Sequence, residues 1–305
     1  MSKALRIIFI GTPDFAAYSL NKLVEAGKNI VAVITAPDKP AGRGMQLQQS
    51  AVKIAAIEHG IPVLQPEKLK NPLFLDELAS YKADFQIVIA FRMLPEVVWN
   101  MPRLGTMNLH ASLLPDYRGA APINWAIING ESKTGVTTFL LKHQIDTGDI
   151  LLQKEVPIEE EEDVGSLYVK LMQLGAELVV ESTELIEKGN YKTIPQKAKE
   201  HLKHAPKIFK ETCEIDWNKS ATDIVNLVRG LSPYPAARCI WQNKILKVFA
   251  CKALDTKYLQ TGEFKTDGKT YLHVGTTDRD ISLTDIQLEG RKRMLVEALL
   301  RGYSI

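Results

Sequence analysis

The chain has 305 residues, 45% hydrophobic and 24% charged, which excludes a disordered or low-complexity polymer and leaves enough apolar side chain for two domains of ordinary size. The net charge of +2 is unevenly spread: residues 1–188 hold 18 Lys/Arg against 23 Asp/Glu, residues 189–206 four against one, and residues 207–305 16 against 12. A cationic C-terminal third beside an acidic N-terminal part fits a polyanion partner, and fits equally a mildly basic domain with no partner.

In chain order, the opening MSKALRIIFIGTP has an apolar run too short to span a bilayer and lacks a small-residue cleavage site; it predicts a buried first strand rather than a leader. A helix follows from Asp14 to Ala26, ended by Gly27, and NIVAVITA resumes strand character. The same alternation predicts a helix over 51–59 after Ser50, a strand in IPVLQ, a helix over 71–80 and a strand at 85–90. Continuous apolar strands alternating with helices imply an α/β fold: a Rossmann-like, mostly parallel, doubly wound sheet covered on both faces. Ligands of such sheets sit beyond the carboxyl ends of the strands, where Asn108 and His110 finish the strand that begins near Gly105.

Further on, a helix is expected at about 121–130, then two strands, VTTFLLK and ILLQKEVPI, joined through HQIDTGD. The acidic run EEEED precedes a long amphipathic pattern from Val164 to Lys188 and is read as helix capping, not a metal site. Residues 189–206 show no apolar period and predict a linker; His201 and His204 lack a carboxylate or Cys partner, so no metal is expected. After a helix in SATDIVNLVRGL, short runs RCIWQ, KILKVFACKAL, GEFKT, YLHVGT and DISLTDIQL predict a small β-barrel. The domains expected are therefore 1–188, a linker over 189–206, and 207–305. Cys213, Cys239 and Cys251 are odd in number without a CxxC pair, which fits a reducing cytoplasm.

The turn IFIGTPDF keeps one of the three glycines of a dinucleotide fingerprint, so a nicotinamide cofactor is not expected. Asn108 and His110, two apart on one strand face, can aim donors at a single developing oxyanion. Asp146, in the polar HQIDTGD loop, is the anion that could keep His110 protonated and take a proton from an attacking amine. No G-x-S-x-G elbow, H-E-x-x-H or P-loop is present, so the set carries no nucleophile of its own and points to direct transfer between two bound substrates. A capped strand end with a satisfied core histidine fits the same residues.

With RIIFIGTPDFAA, PDKPAGRG at 37–44, NLHASLLPDYRGAAPINWAI, IDTGD and IDW at 215–217, the sequence resembles the folate-dependent formyltransferases over nearly its whole length. The resemblance implies a transfer site at Asn108, His110 and Asp146. There the α-amine of methionine, esterified to initiator tRNA, would attack the formyl carbon of 10-formyltetrahydrofolate. It implies a folate site formed by Ile89, Ala90, Phe91, Arg92 and Leu94 with the signature loop Ser112, Leu113, Leu114 and Pro115. Many relatives have a longer AYG-type stretch where this chain has Phe91 and Arg92. Proline fixes φ, so the loop prolines would hold the wall of the site in shape without substrate. The long PDKPAGRGMQLQQS loop lacks apolar anchors and reads as mobile; its Lys39 and Arg43 can reach phosphates or base edges, and the resemblance makes Arg43 the choice for initiator tRNA discrimination. It also makes the barrel OB-like; Lys207 and Lys210 in KIFKE fit phosphate contacts, and fit a merely solvated pair nearly as well. A monomer with no membrane association and no metal is expected. Another amine acceptor, or a non-catalytic tRNA-binding module, are the competing readings.

Overall fold

Two apolar strands set the centre of the first sheet. β1 (Ile7–Gly11) is buried at every position because it lies inside a parallel sheet with helices on both faces. A computed structural model describes residues 4–41, 46–143, 146–189, 191–197 and 201–302. After β1, α1 (Asp14–Glu25) buries Phe15, Ala16, Leu20 and Leu23 along one stripe, carries Asp14 in its first turn, and gives way to Gly27 at φ 69°. Then come β2 (Ile30–Ile34), β3 (Lys39–Ala41), β4 (Gln46–Gln48) and α2 (Ala51–Glu58), where the Ser50 hydroxyl accepts from Lys53 N at 3.0 Å and caps the helix. β5 (Val63–Leu64), α3 (Pro72–Ser80), β6 (Phe85–Ile89), the short α4 (Glu96–Trp99) and β7 (Thr106–His110) complete the βα alternation expected from the sequence.

Beyond β7 lie β8 (Arg118–Gly119), α5 (Pro122–Ile128), β9 (Lys133–Leu140), β10 (Ile150–Pro157) and α6 (Val164–Lys188). The seven-stranded sheet runs β10-β9-β7-β6-β1-β2-β5; the pairs β6/β7, β1/β6, β1/β2 and β2/β5 are parallel and β7/β9 is antiparallel. Gly11 closes β1 where a Cβ would stand 2.6 Å from Ala16 Cβ and 3.0 Å from the Ile89 carbonyl, so the strand end and α1 can meet only with glycine there.

In the 37–50 loop the described residues 37–41 and 46–50 are more regular than the irregular form expected. β3 and β4 pair antiparallel as a hairpin, Lys39 opposite Gln48 and Ala41 opposite Gln46. Its base is bolted down: the Asp38 carboxylate accepts from Lys53 Nζ at 2.5 Å and from Gln65 Nε2 at 2.8 Å. Backbone pairing and this buried-side anchor supply the order that the composition did not advertise.

The remaining elements are β11 (His204–Ala205), α7 (Ala221–Leu231), β12 (Ala237–Trp241), β13 (Lys244–Ala253), β14 (Phe264–Thr266), β15 (Leu272–Gly275), β16 (Asp280–Leu288), β17 (Met294–Leu295) and α8 (Val296–Arg301). The strands form an antiparallel half-barrel in the order β12-β13-β16-β15-β14, with β17 on β16. Leu246, Val248, Leu272, Val274, Ile281, Leu283 and Ile286 alternate inward and are covered by Ile224, Val228 and Leu231 of α7.

The chain divides into two compact units, and the division does not follow chain order. Gly119–Thr134 and Val156–Val169 belong with Lys203–Ile305, while the other unit takes Met1–Arg118, Gly135–Glu155 and Lys170–Leu202. Within the second unit α5 is tied to α7, Asn124 Nδ2 donating to the Gly230 carbonyl at 2.8 Å, and Trp125 Nε1 donates to Pro206 O at 2.8 Å. The acidic run ends in a helix cap as expected: the Asp163 carboxylate accepts from Ser166 N at 2.8 Å. Among the described residues no helix is long and apolar enough to cross a membrane.

Candidate active site

β7 has two unlike faces because its side chains alternate. Leu109 points at α6, whose Gly175 leaves no room for a Cβ, which would stand 2.8 Å from Leu109 Cδ2. Thr106, Asn108 and His110 therefore share the opposite face. Of the five residues of β7 only Asn108 is part-exposed; the other four are buried. An amide kept open at the carboxyl end of a parallel sheet is a donor waiting for a partner.

The antiparallel register puts Phe139 opposite Asn108 and Thr137 opposite His110. Thr137 anchors the signature loop. Its hydroxyl donates to Ser112 O at 2.6 Å and accepts from Leu114 N at 3.2 Å and Gln153 Nε2 at 2.8 Å; Gln153 Nε2 also donates to Leu114 O at 3.1 Å. Ser112 is fully buried and its hydroxyl donates to Asp116 O at 2.7 Å. Leu114 packs with Phe139 and Ile150, which lays the loop over the Asn108 face. The Leu114–Pro115 peptide is cis. The loop's stiffness, expected from its prolines, is supplied as much by this saturated threonine.

His110 is 7% exposed, and its Nε2 donates to the carbonyl oxygen of Tyr117 at 2.8 Å. Tyr117 makes that contact from a left-handed backbone, φ 60°. The bond fixes the ring and leaves Nδ1 for chemistry.

Asp146 occupies the turn between β9 and β10, also left-handed at φ 52°. Two residues on, Gly148 presses against β9: a Cβ there would stand 1.6 Å from the Leu140 carbonyl and 2.9 Å from Phe139 Cδ2. The turn thus folds back onto the side of the sheet that carries Asn108. It is pinned by Leu140 N donating to Asp149 O at 3.0 Å and by the Lys142–Asp149 ion pair at 2.7 Å.

The expected folate residues part company. Ile89 ends β6 beside Leu109, and Ala90 is exposed in a left-handed turn at φ 47°. Leu113 is part-buried, and Pro115 is part-buried on the loop. Phe91 packs on the core, Leu94 lies inside it, and the Arg92 guanidinium donates to the carbonyls of Pro66 at 2.5 Å and Glu67 at 2.9 Å. Leu94 is thus packed and the exposed Arg92 guanidinium is partly engaged, while the Ile89–Ala90 strand end lies next to β7. Lys39 is exposed on β3 and Arg43 lies outside the described residues. Lys207 and Lys210 are exposed in the second unit, with Lys207 Nζ 5.7 Å from the centre of the Phe209 ring.

Sequence reasoning did not single out Thr137, Gln153 or Gln196. Gln196 stands in the segment expected as linker, where Ile194 bridges Ile150 through two 2.8 Å bonds, and its Nε2 donates to the carbonyls of Asp146 and Gly148, both at 2.8 Å. Nothing in the periodicity of residues 191–197 announces a strand-like bridge; only the absence of charge at Ile194 and Pro195 hints at contact.

The Rossmann-like sheet thus brings the part-exposed Asn108 amide and the buried His110 imidazole to one strand end and carries Asp146 in the turn between β9 and β10. The chain belongs to the formyl transferase family: the formyl transferase domain model matches residues 5–183 and the formyl transferase C-terminal domain model matches 207–304. Among its relatives, methionyl-tRNA formyltransferase of Bacteroides fragilis is 52% identical over 99% of this chain and 96% of its own length, and that of Phocaeicola vulgatus is 54% identical over the same shares. HypX from Aquifex aeolicus, solved with tetrahydrofolic acid, shares the fold at 21% identity and TM-score 0.66, covering 98% of this chain and 47% of HypX. An N-formyltransferase from Helicobacter canadensis, solved with folinic acid and dTDP-3-aminofucose, shares it at 19% identity and TM-score 0.70, over 92% and 98%.

Proposed function

We infer that the chain transfers the formyl group of 10-formyltetrahydrofolate to the α-amine of methionyl initiator tRNA, giving N-formylmethionyl-tRNA for translation initiation in the cytoplasm. The observation that carries this reading is identity of 52% to a methionyl-tRNA formyltransferase along 99% of the chain, through both domains. The N-formyltransferase solved with dTDP-3-aminofucose stands far lower, at 19%.

In this reading the Asn108 amide N–H and an N–H at His110 Nδ1 hold the formyl oxygen as negative charge builds on it, and Asp146 receives the proton of the attacking amine. As the new N–C bond forms, the bond from the formyl carbon to N10 of the folate breaks, and the proton ends on N10. The backbone at Ile89–Ala90 and the wall formed by residues 112–115 receive the folate ring. Residues 1–188 form the catalytic region, 189–206 the connection, and 207–305 the tRNA-binding domain, with Lys207 and Lys210 on phosphates and Lys39 and Arg43 reading the acceptor end. The protein works as a monomer and needs no metal.

Transfer of radiolabelled formyl to initiator and elongator Met-tRNA, side by side, tests this. Initiator Met-tRNA should be formylated in strong preference, Arg43→Ala should narrow the preference without changing folate binding, and tRNA affinity should fall steeply with salt because phosphate contacts release counterions. No transfer to either Met-tRNA would refute the reading.

A further inference from the structure

The turn that bears Asp146 is also held from outside, by a side chain far along the sequence. Its backbone carbonyls at Asp146 and Gly148 both accept, at 2.8 Å, from the one side-chain nitrogen of Gln196. The other end of that amide is equally engaged: Gln196 Oε1 accepts from Arg118 Nη2 at 2.5 Å and Arg118 Nε at 3.2 Å. All four hydrogen-bonding positions of the amide are thus filled, two by the Asp146 turn and two by a guanidinium anchored just after the signature loop.

The backbone explains why residue 196 is the one to do this. Ile150 and Ile194 exchange both N–H···O bonds at 2.8 Å, an antiparallel bridge whose register sets residue 196 opposite residue 148. Residue 148 is glycine, so no side chain stands between the Gln196 amide and the two carbonyls. Asp146 itself sits at φ 52°, in the left-handed region that Asp enters more readily than most non-glycine residues.

We infer that Gln196, oriented by Arg118, is the positioning residue that sets the Asp146 carboxylate for proton transfer; the inference rests on Asp146 having the role proposed above. Gln196 touches no reacting atom. Arg118 links the two walls of the site, because the same guanidinium follows the 112–117 loop and reads the position of the Asp146 turn through one amide.

Steady-state formylation of Met-tRNA by Gln196→Ala, Gln196→Glu, Asp146→Asn and the Asp146→Asn/Gln196→Ala double variant tests this, with thermal unfolding of each. Gln196→Ala should lower kcat about 10- to 100-fold while KM for either substrate changes less than about 3-fold, the scale expected when a reacting group is misplaced by about 1 Å. Gln196→Glu keeps the volume and the Arg118 contact but cannot donate to the two carbonyls, so it should lose as much. In the double variant, removal of Gln196 should cost less than about 2-fold beyond Asp146→Asn alone, because a positioning residue has nothing left to position. Gln196→Glu with near-normal kcat would overturn the inference, as would a Gln196→Ala loss undiminished in the Asp146→Asn background or one that tracks a lowered unfolding temperature in both variants. Full turnover by Asp146→Asn alone would instead remove the role of Asp146, and with it any residue that serves that role.

Discussion

His110 Nε2 and the carbonyl oxygen of Tyr117 stand 2.8 Å apart, and that bond decides which face of the imidazole can work. A carbonyl only accepts, so Nε2 carries a proton, and in the proposed mechanism Nδ1 is the nitrogen that donates to the substrate. An Asn side chain places its amide near Nδ1 and a Gln side chain near Nε2. His110→Asn should therefore keep more formyl transfer than His110→Gln, both well below the parent protein, when turnover is measured under saturating substrates. The reverse order would show Nε2 to be the working nitrogen.

Thr137 bears on stability and activity together. Thr137→Val preserves shape but strips the buried Ser112 O and Leu114 N, and the more exposed Gln153 Nε2, of a shared partner. Leaving buried polar groups unpaired costs about 1–3 kcal/mol. Chemical denaturation should show a loss on that scale, and the folate KM should rise because the loop over Asn108 loosens. Thr137→Ser, which keeps the hydroxyl, should behave nearly like the parent.

Gly148→Ala makes the Asp146 turn impossible as built, since the added carbon would stand 1.6 Å from the Leu140 carbonyl. The turn must move, and kcat should fall by about 100-fold or more, as for a reacting group displaced by about 1 Å. Formylation assays check this, and unchanged kcat would mean that the turn's position is irrelevant.

The cysteines give a pH prediction. Burial pushes the thiols of Cys239 and Cys251 up to about 12 from an ordinary 9.0. The folded protein therefore keeps protons that the unfolded chain releases, so stability should fall as pH rises from about 9 toward 12 and be independent of these groups below that window. Both thiols are part-exposed, but with so little thiolate at pH 8 Ellman's reagent should label them far more slowly in the folded protein than in the unfolded chain. Rapid labelling of the native protein would contradict the raised pKa.

Much of this was legible in the residues. Apolar runs such as IIFIG and FQIVI could only be buried parallel strands, and period-two placement alone put Asn108 and His110 on one face. The β3–β4 hairpin was not legible, because backbone pairing and the Asp38–Lys53 contact, not apolar side chains, hold it. Nor were the partners of Arg92, whose exposed guanidinium donates to two main-chain carbonyls of a segment 25 and 26 residues away in sequence. Gln196 was invisible for a related reason: its part depends on a two-residue antiparallel register with Gly148, a long-range pairing that no local pattern encodes.

Single-turnover formylation of initiator Met-tRNA, comparing the parent protein with Asn108→Ala, bears most directly on the transfer site. Asn108 is the part-exposed donor of β7, and loss of one oxyanion donor typically costs about 10²–10³-fold in rate. The account predicts a drop of that size with folate and tRNA binding essentially preserved. Full rate in Asn108→Ala would contradict it.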